Sequence, residues 1–156
     1  MKPQEVSNSL WGWSKLGWPF EQLQPAAGAA VAATAADMTP QEVSNVIYAY
    51  ALGNWPLTGA AQQALRDALP AVLHGGNAQG VATSLWAWSK LGQQLDADLA
   101  AVADAALLRT LPHMNVKGVT QLQQAFSTEG WQLSSEAAAA LREAAGRVGL
   151  SPAAAA

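Results

Sequence analysis

A tryptophan-rich phrase occurs twice in this chain and constrains the fold more than any other feature. Residues 9–17 read SLWGWSKLG, and residues 84–92 read SLWAWSKLG. The two copies belong to a longer repeat whose anchoring valines lie 37, 38 and 38 residues apart, at Val6, Val43, Val81 and Val119. This period predicts one array of four units over residues 1–152, at 2–38, 39–76, 77–114 and 115–152, followed by a low-complexity tail at 153–156.

Each unit has the pattern of two helices joined by a turn. In the second unit, Thr39 and Glu42 form a capping box with a proline in the first helical turn. Val43, Ile47 and Tyr50 then follow at helical spacing, which predicts a buried stripe. The first helices should end at a residue that tolerates the left-handed conformation. That position holds Gly17, Asn54, Gly92 and Gly130.

The second helix of a unit is clearest in the third repeat. It is predicted over about residues 96–111, with Asp96 as the N-cap. In the first unit we expect a weaker second helix, interrupted by Pro25 and Gly28. A single pair of helices this short cannot bury its apolar stripe, whereas stacked pairs share a continuous core. The sequence therefore predicts an all-α fold, an α-solenoid of four helix-turn-helix repeats of about 38 residues.

Composition argues against several classes of function. The chain has no cysteine, which removes thiolate nucleophiles and cysteine zinc sites. Neither a catalytic triad nor paired carboxylates nor a phosphate-binding glycine loop stands out, and His74 and His113 fall at unit ends. Apolar runs stay well short of the roughly 20 residues of a membrane span, and no transit segment opens the sequence. We therefore expect no enzyme activity, no cofactor, no metal and no membrane partner.

The repeated motif resembles that of a known family. PQEVSNSLWGWSKLG at 3–17 and TPQEVSNVIYAYALG at 39–53 are similar to octotricopeptide-repeat proteins, which are related to RAP-domain and FAST-kinase-like organellar proteins. The resemblance covers all four units, and the fourth departs from it at Gln123, Gln124 and Phe126. It implies an α-solenoid that binds single-stranded RNA in a chloroplast or mitochondrion. Such a protein acts in organellar RNA stabilisation, processing or translation, with other proteins of an RNA-processing complex as further partners.

The first helices carry a polar and aromatic face opposite their apolar stripe when each residue advances by 100°. Amides, aromatic rings and lysines on that face are the groups that readers of single strands use. All four lysines lie in or beside first helices, and all four arginines lie in second helices. The predicted RNA-binding residues are Asn8, Trp11, Lys15, Asn45, Tyr48, Thr83, Trp86, Lys90 and Gln121.

Other roles stay open for these residues. Trp11, Tyr48 and Trp86 lie on a shoulder of their helices where they could stack on bases or pack between repeats. The lysines could be simple surface charges. The net charge of −3 and the absence of arginine from the proposed face favour an alternative function, a helical-repeat scaffold for protein–protein interaction.

Overall fold

The computed structural model describes residues 1–151, and every regular element in that part of the chain is helical. This confirms the predicted all-α class. The predicted tail at 153–156 and the last residue of the fourth unit lie outside the described residues. The α-helices are α1 Pro3–Leu16, α2 Gln24–Thr34, α3 Pro40–Gly53, α4 Gly59–Gly75, α5 Ala78–Lys90, α6 Ala97–Thr110, α7 Val116–Glu129 and α8 Ser135–Arg147. Short 3₁₀ helices lie at Phe20–Gln22, Ala35–Asp37 and Leu111–His113.

The helices begin where local chemistry satisfies their first N–H groups. At the start of α3, the Glu42 N–H donates to Thr39 Oγ1 at 3.3 Å, and the Thr39 N–H donates to the Glu42 carboxylate at 2.7 Å. At the start of α6, the Leu99 N–H donates to the Asp96 carboxylate at 3.1 Å. Both predicted caps are therefore confirmed.

The helix ends also follow the predicted column. Gly17, Asn54 and Gly130 close their helices in the left-handed conformation, with φ of 66°, 54° and 64°. Gly92 has φ 67° and lies two residues beyond Lys90, the last residue of α5. Asn54 is the one non-glycine residue in the described part of the chain with positive φ. Asparagine tolerates this conformation better than other side chains, which explains the substitution.

The expected interruption of the first unit's second helix is wrong. Helix α2 runs unbroken from Gln24 to Thr34, with Pro25 in its first turn and Gly28 inside it. A proline there costs no hydrogen bond because N–H groups in the first turn have no partner within the helix. The side chains that α2 buries are small, Ala27 and Val31.

The helices pack in two layers. Helix α1 packs on α3, α3 on α5 and α5 on α7, while α2 packs on α4, α4 on α6 and α6 on α8. Side chains of the predicted stripe fill the space between the odd-numbered and even-numbered layers. Tyr50 is almost fully buried there, as predicted, and so is Trp88, which occupies the same position of the repeat 38 residues later. Trp13, in the same column, is only partly buried because α1 lies at the edge of its layer.

Arginines bind the ends of the even-numbered helices to one another. The Arg109 guanidinium donates to the carbonyls of Leu73 at 2.8 Å and Gly76 at 2.9 Å. Thirty-eight residues on, Arg147 donates to the carbonyls of Leu111 and Met114 at 2.7 and 3.2 Å. Each arginine thereby binds carbonyls at the end of the preceding even-numbered helix or in the turn that follows it.

A second set of contacts joins the middle of one even-numbered helix to the start of the next. Arg66 in α4 forms an ion pair with Asp96, the N-cap of α6. Hydrogen bonding to this guanidinium holds the pKa of Asp96 below its ordinary value of 3.8. The Asp104 carboxylate in α6 takes the same position one repeat later and accepts the Ser134 N–H at 3.0 Å. Helices α4, α6 and α8 are therefore joined by two recurring sets of polar contacts.

Candidate nucleic-acid interface

A groove crosses the odd-numbered layer and collects five of the predicted RNA-binding residues. Its volume is about 350 Å³. It runs from the carboxy-terminal half of α1, across the middle of α3, to the amino-terminal ends of α5 and α7. Hereafter it is the diagonal groove. The predicted residues that line it are Trp11, Lys15, Asn45, Tyr48 and Thr83.

The diagonal groove has a distinct chemical character. Amide side chains line it from both α3 and the start of α5, and Lys15 and Lys117 lie at opposite ends. Among the described residues that line it, none is acidic, although the chain carries a net charge of −3. The Gln41 side-chain nitrogen donates to Asn45 Oδ1 at 2.9 Å, which orients the Asn45 amide within the groove.

The aromatic column packs partly against itself. The rings of Tyr48 and Trp86 lie 5.8 Å apart between centroids, tilted by 49°. The Trp86 indole N–H donates to Gln124 Oε1 at 3.0 Å. The sequence allowed two roles for this column, packing between repeats or stacking on bases. Tyr48 and Trp86 use part of their surface for packing between repeats. Trp11 differs, since 41% of its surface is exposed.

Two lysines lie over tryptophan rings of the aromatic column. Lys15 Nζ is 4.9 Å from the Trp11 ring centroid, and Lys90 Nζ is 5.3 Å from that of Trp86. The ring quadrupole attracts the ammonium group, so each lysine is held beside its ring. Because each lysine covers one face of its ring, a base could stack only on the opposite face.

A second hollow of about 340 Å³ adjoins the diagonal groove and contains Gln121. Hereafter it is the edge hollow. It shares Asn77, Gln79 and Lys117 with the diagonal groove, so the two are continuous. The structure thus places Gln121 beside the other predicted residues.

Three predicted residues lie outside both hollows, namely Asn8, Trp86 and Lys90. Asn8 and Lys90 are exposed on the same layer, and Trp86 contacts the groove residue Tyr48. Helical phase alone places them on the outward face. The groove crosses that face obliquely, so these three residues do not line it.

The structure adds groove residues that the prediction omitted. They are Gln41, Ser44, Asn77, Gln79, Gly80 and Lys117. Gln41, Gln79 and Lys117 occupy one column, the second residue of α3, α5 and α7. This column recurs two residues before each anchoring valine, and helical phase places it on the outward face of the first helices.

Residues 1–151 contain neither a group of metal-ligating side chains nor a membrane-spanning helix. Nowhere in that range do three or more His, Cys, Asp or Glu side chains group as metal ligands would. None of the helices there has the length and apolar character to cross a membrane. His74 lies in the last turn of α4, and His113 lines the edge hollow. No protein-family model matches the chain, and no curated protein matches it.

Proposed function

We propose that the protein binds single-stranded RNA in the diagonal groove and acts without catalysis. One observation carries the proposal, which is the composition of that groove. Amides, aromatic rings and two lysines converge there, and none of its described lining residues is acidic. In a chain with more acidic than basic residues, this local absence of carboxylates favours an anionic ligand.

Each kind of side chain has a role in this proposal. Amides donate and accept hydrogen bonds, so Asn45 and Gln79 can pair with the edges of bases. The exposed Trp11 ring offers a stacking surface, worth about 1–3 kcal/mol per base. Lys15 and Lys117 attract phosphates. Bases reach such side chains only when they are unpaired, which favours single strands over duplex RNA.

We further propose that the two layers form a four-unit α-solenoid of the octotricopeptide-repeat type. The recurrence of the Arg109 contacts at Arg147 after 38 residues supports a repeating architecture. On this proposal the protein works in a chloroplast or mitochondrion in RNA stabilisation, processing or translation. Other proteins of an RNA-processing complex would be its further partners.

Fluorescence anisotropy with labelled RNA tests the binding. A random single-stranded pool should bind more tightly than a duplex, and the affinity should fall steeply between about 50 and 200 mM salt. Trp11→Ala should weaken binding. Trp18→Ala is the matched control, because Trp18 is 52% exposed, follows the same helix and lies outside the diagonal groove. No binding at low salt, or equal losses in both variants, would contradict the proposal.

Base recognition has a separate test. Asn45 and Thr83 both line the diagonal groove, on neighbouring helices. Exchanging the two residues should alter the bases preferred at two adjacent positions in a selection from a random pool. An unchanged preference would remove these side chains from base recognition while leaving general binding intact.

A protein–protein scaffold is the second candidate, and one surface favours it. Between α1 and α2 lies a small hollow of about 60 Å³, lined almost entirely by apolar residues that include Met1, Trp13 and Leu23. An apolar helical peptide bound there should be nearly indifferent to salt, unlike RNA. Salt-independent peptide binding together with no RNA binding would favour the scaffold.

A further inference from the structure

We propose that Lys117 is the phosphate anchor of the RNA site, where the strand passes from the diagonal groove into the edge hollow. This inference rests on the proposed function and assigns a role to a residue that is not among the predicted RNA-binding residues. The ligand class is the phosphodiester backbone of a single strand.

The position of Lys117 is the first argument. Lys117 lines both hollows, as do Asn77 and Gln79. A strand that contacts Trp11 at one end and Gln121 at the other must therefore cross this shared wall. Lys117 is exposed, and within residues 1–151 no carboxylate lies within ion-pair distance of it.

The second argument is the charge pattern along the layer. The column of Lys117 holds glutamine in the other odd-numbered helices, at Gln4, Gln41 and Gln79. The next column holds Glu5 in α1 and Glu42 in α3, whose carboxylates accept backbone N–H groups at 2.8 and 2.7 Å. In α5 and α7 that column holds Gly80 and Gly118. Compared with α1 and α3, the shared wall formed by α5 and α7 therefore has one additional positive charge, on Lys117, and lacks the two carboxylates.

Steric need does not explain these two glycines. Neither has positive φ, and a Cβ added to either would meet its nearest neighbour at an ordinary 3.5 Å. Glycine inside a helix costs about 0.8–1 kcal/mol relative to alanine. Gly80 lines the diagonal groove and Gly118 the edge hollow, so both keep carboxylates away from the path of the strand.

The first experiment measures how RNA affinity depends on salt. Lys117→Gln installs the residue that the other three helices carry. With an oligouridine probe, the slope of log affinity against log salt should fall by about one. Lys2→Gln is the control, because it removes the same charge from the start of α1, outside both hollows. Its slope should match that of the wild type.

A second variant separates binding from folding. Gly80→Glu restores the carboxylate that α1 and α3 carry, and it should weaken oligouridine binding by about five- to tenfold at low salt. Its melting temperature should equal or exceed that of the wild type, because the substitution replaces a glycine inside a helix with a residue of higher helix propensity. Gly146→Glu in α8 is the matched control, since a Cβ there meets nothing within 4 Å. Its RNA affinity should not change.

The outcomes distinguish this inference from the proposed function. If the wild type binds but Lys117→Gln keeps the full slope, the anchor is wrong and RNA binding stands. Equal slope losses in Lys117→Gln and Lys2→Gln, or undiminished affinity in Gly80→Glu, also overturn the anchor alone. No binding by the wild type at low salt overturns both.

Discussion

Tyr50 is a buried titratable residue whose burial changes its pKa. It is 1% exposed and packs edge-on against Phe20 and Trp55, with ring centroids 5.5 and 5.8 Å away. Burial raises the pKa of Tyr50 to about 12, because a phenolate among these rings would lose its hydration. The neutral form of this side chain is therefore part of the folded state.

This shift predicts alkaline destabilisation. Because the folded pKa exceeds the unfolded value of 10.0, the contribution to stability is complete below about pH 10 and is lost as pH rises towards 12. Tyr50→Phe should unfold like the wild type in urea near pH 7 and be more stable than it above about pH 11. Parallel losses in both proteins would show that other groups, such as the lysines, cause the alkaline effect.

Residues were predictable where their environment depends on one helix. Tyr50 and Trp88 are buried because helical spacing directs them inwards, and the sequence predicts that directly. The hydrogen bond from Trp86 to Gln124 joins residues 38 positions apart. It depends on the offset between α5 and α7, which a single helical wheel does not contain.

Among the elements, the even-numbered helices depend on charged side chains at their ends. Arg109 reaches back to α4 and Arg147 to the 3₁₀ turn after α6, while Arg66 and Asp104 reach forward to the start of the following helix. These directional contacts fix the register between α4, α6 and α8.

Removing one such contact should destabilise the fold. Arg109→Ala leaves the carbonyls of Leu73 and Gly76 without their donor, and we expect a loss of about 1–2 kcal/mol in the free energy of unfolding by urea. Arg142→Ala, an exposed arginine in α8, should cost no more than about 0.5 kcal/mol. Equal losses would mean that helix propensity or net charge, rather than the carbonyl contacts, governs the change.

Element boundaries were predictable where the capping residue is local. Thr39, Asp96 and Gly17 end or begin helices through contacts within four or five residues. Pro25 was misread because its effect depends on where α2 begins. The 3₁₀ turn at Phe20–Gln22 moves that start to Gln24, so the proline falls in a first turn rather than in a helix interior.

Across the whole molecule, the packing is uneven from one end to the other. Helix α2 buries Ala27 and Val31, whereas α4 buries Leu65, Leu69 and Leu73. Larger apolar side chains remove more surface from water and so contribute more to stability. The first helical pair is therefore less firmly packed than the second.

Hydrogen exchange should follow this gradient. Amides of α2 should exchange faster than those of α4 and α6, because local opening there exposes less apolar surface. Exchange read by mass spectrometry on peptides from residues 24–34 and 61–73 would test it directly. Uniform protection of these peptides would show that the described helices open only as one cooperative unit.

At this scale the candidate site was only partly predictable. Helical phase gives the angle of a residue around its own helix, and it found Trp11, Tyr48 and Asn45. It contains nothing about how a groove crosses several helices, so it does not separate Asn8 and Lys90, which lie outside the groove, from Lys117, which lines it. The oblique course of the diagonal groove arises only when the helices are packed.

The recurring arginine contacts determine whether the repeat array could be extended by duplication of one unit. An in-frame duplication of the codons for 77–114 would give each arginine a carbonyl pair in the correct register, because Arg109 and Arg147 reach back over the same distance. The opposite ends of the helices would fit less well. Asp104 would then face the Asp96 of the inserted copy, carboxylate against carboxylate, where Arg66 now faces Asp96. A change of Asp104 to arginine would relieve the conflict, so growth of this chain by duplication requires one compensating codon.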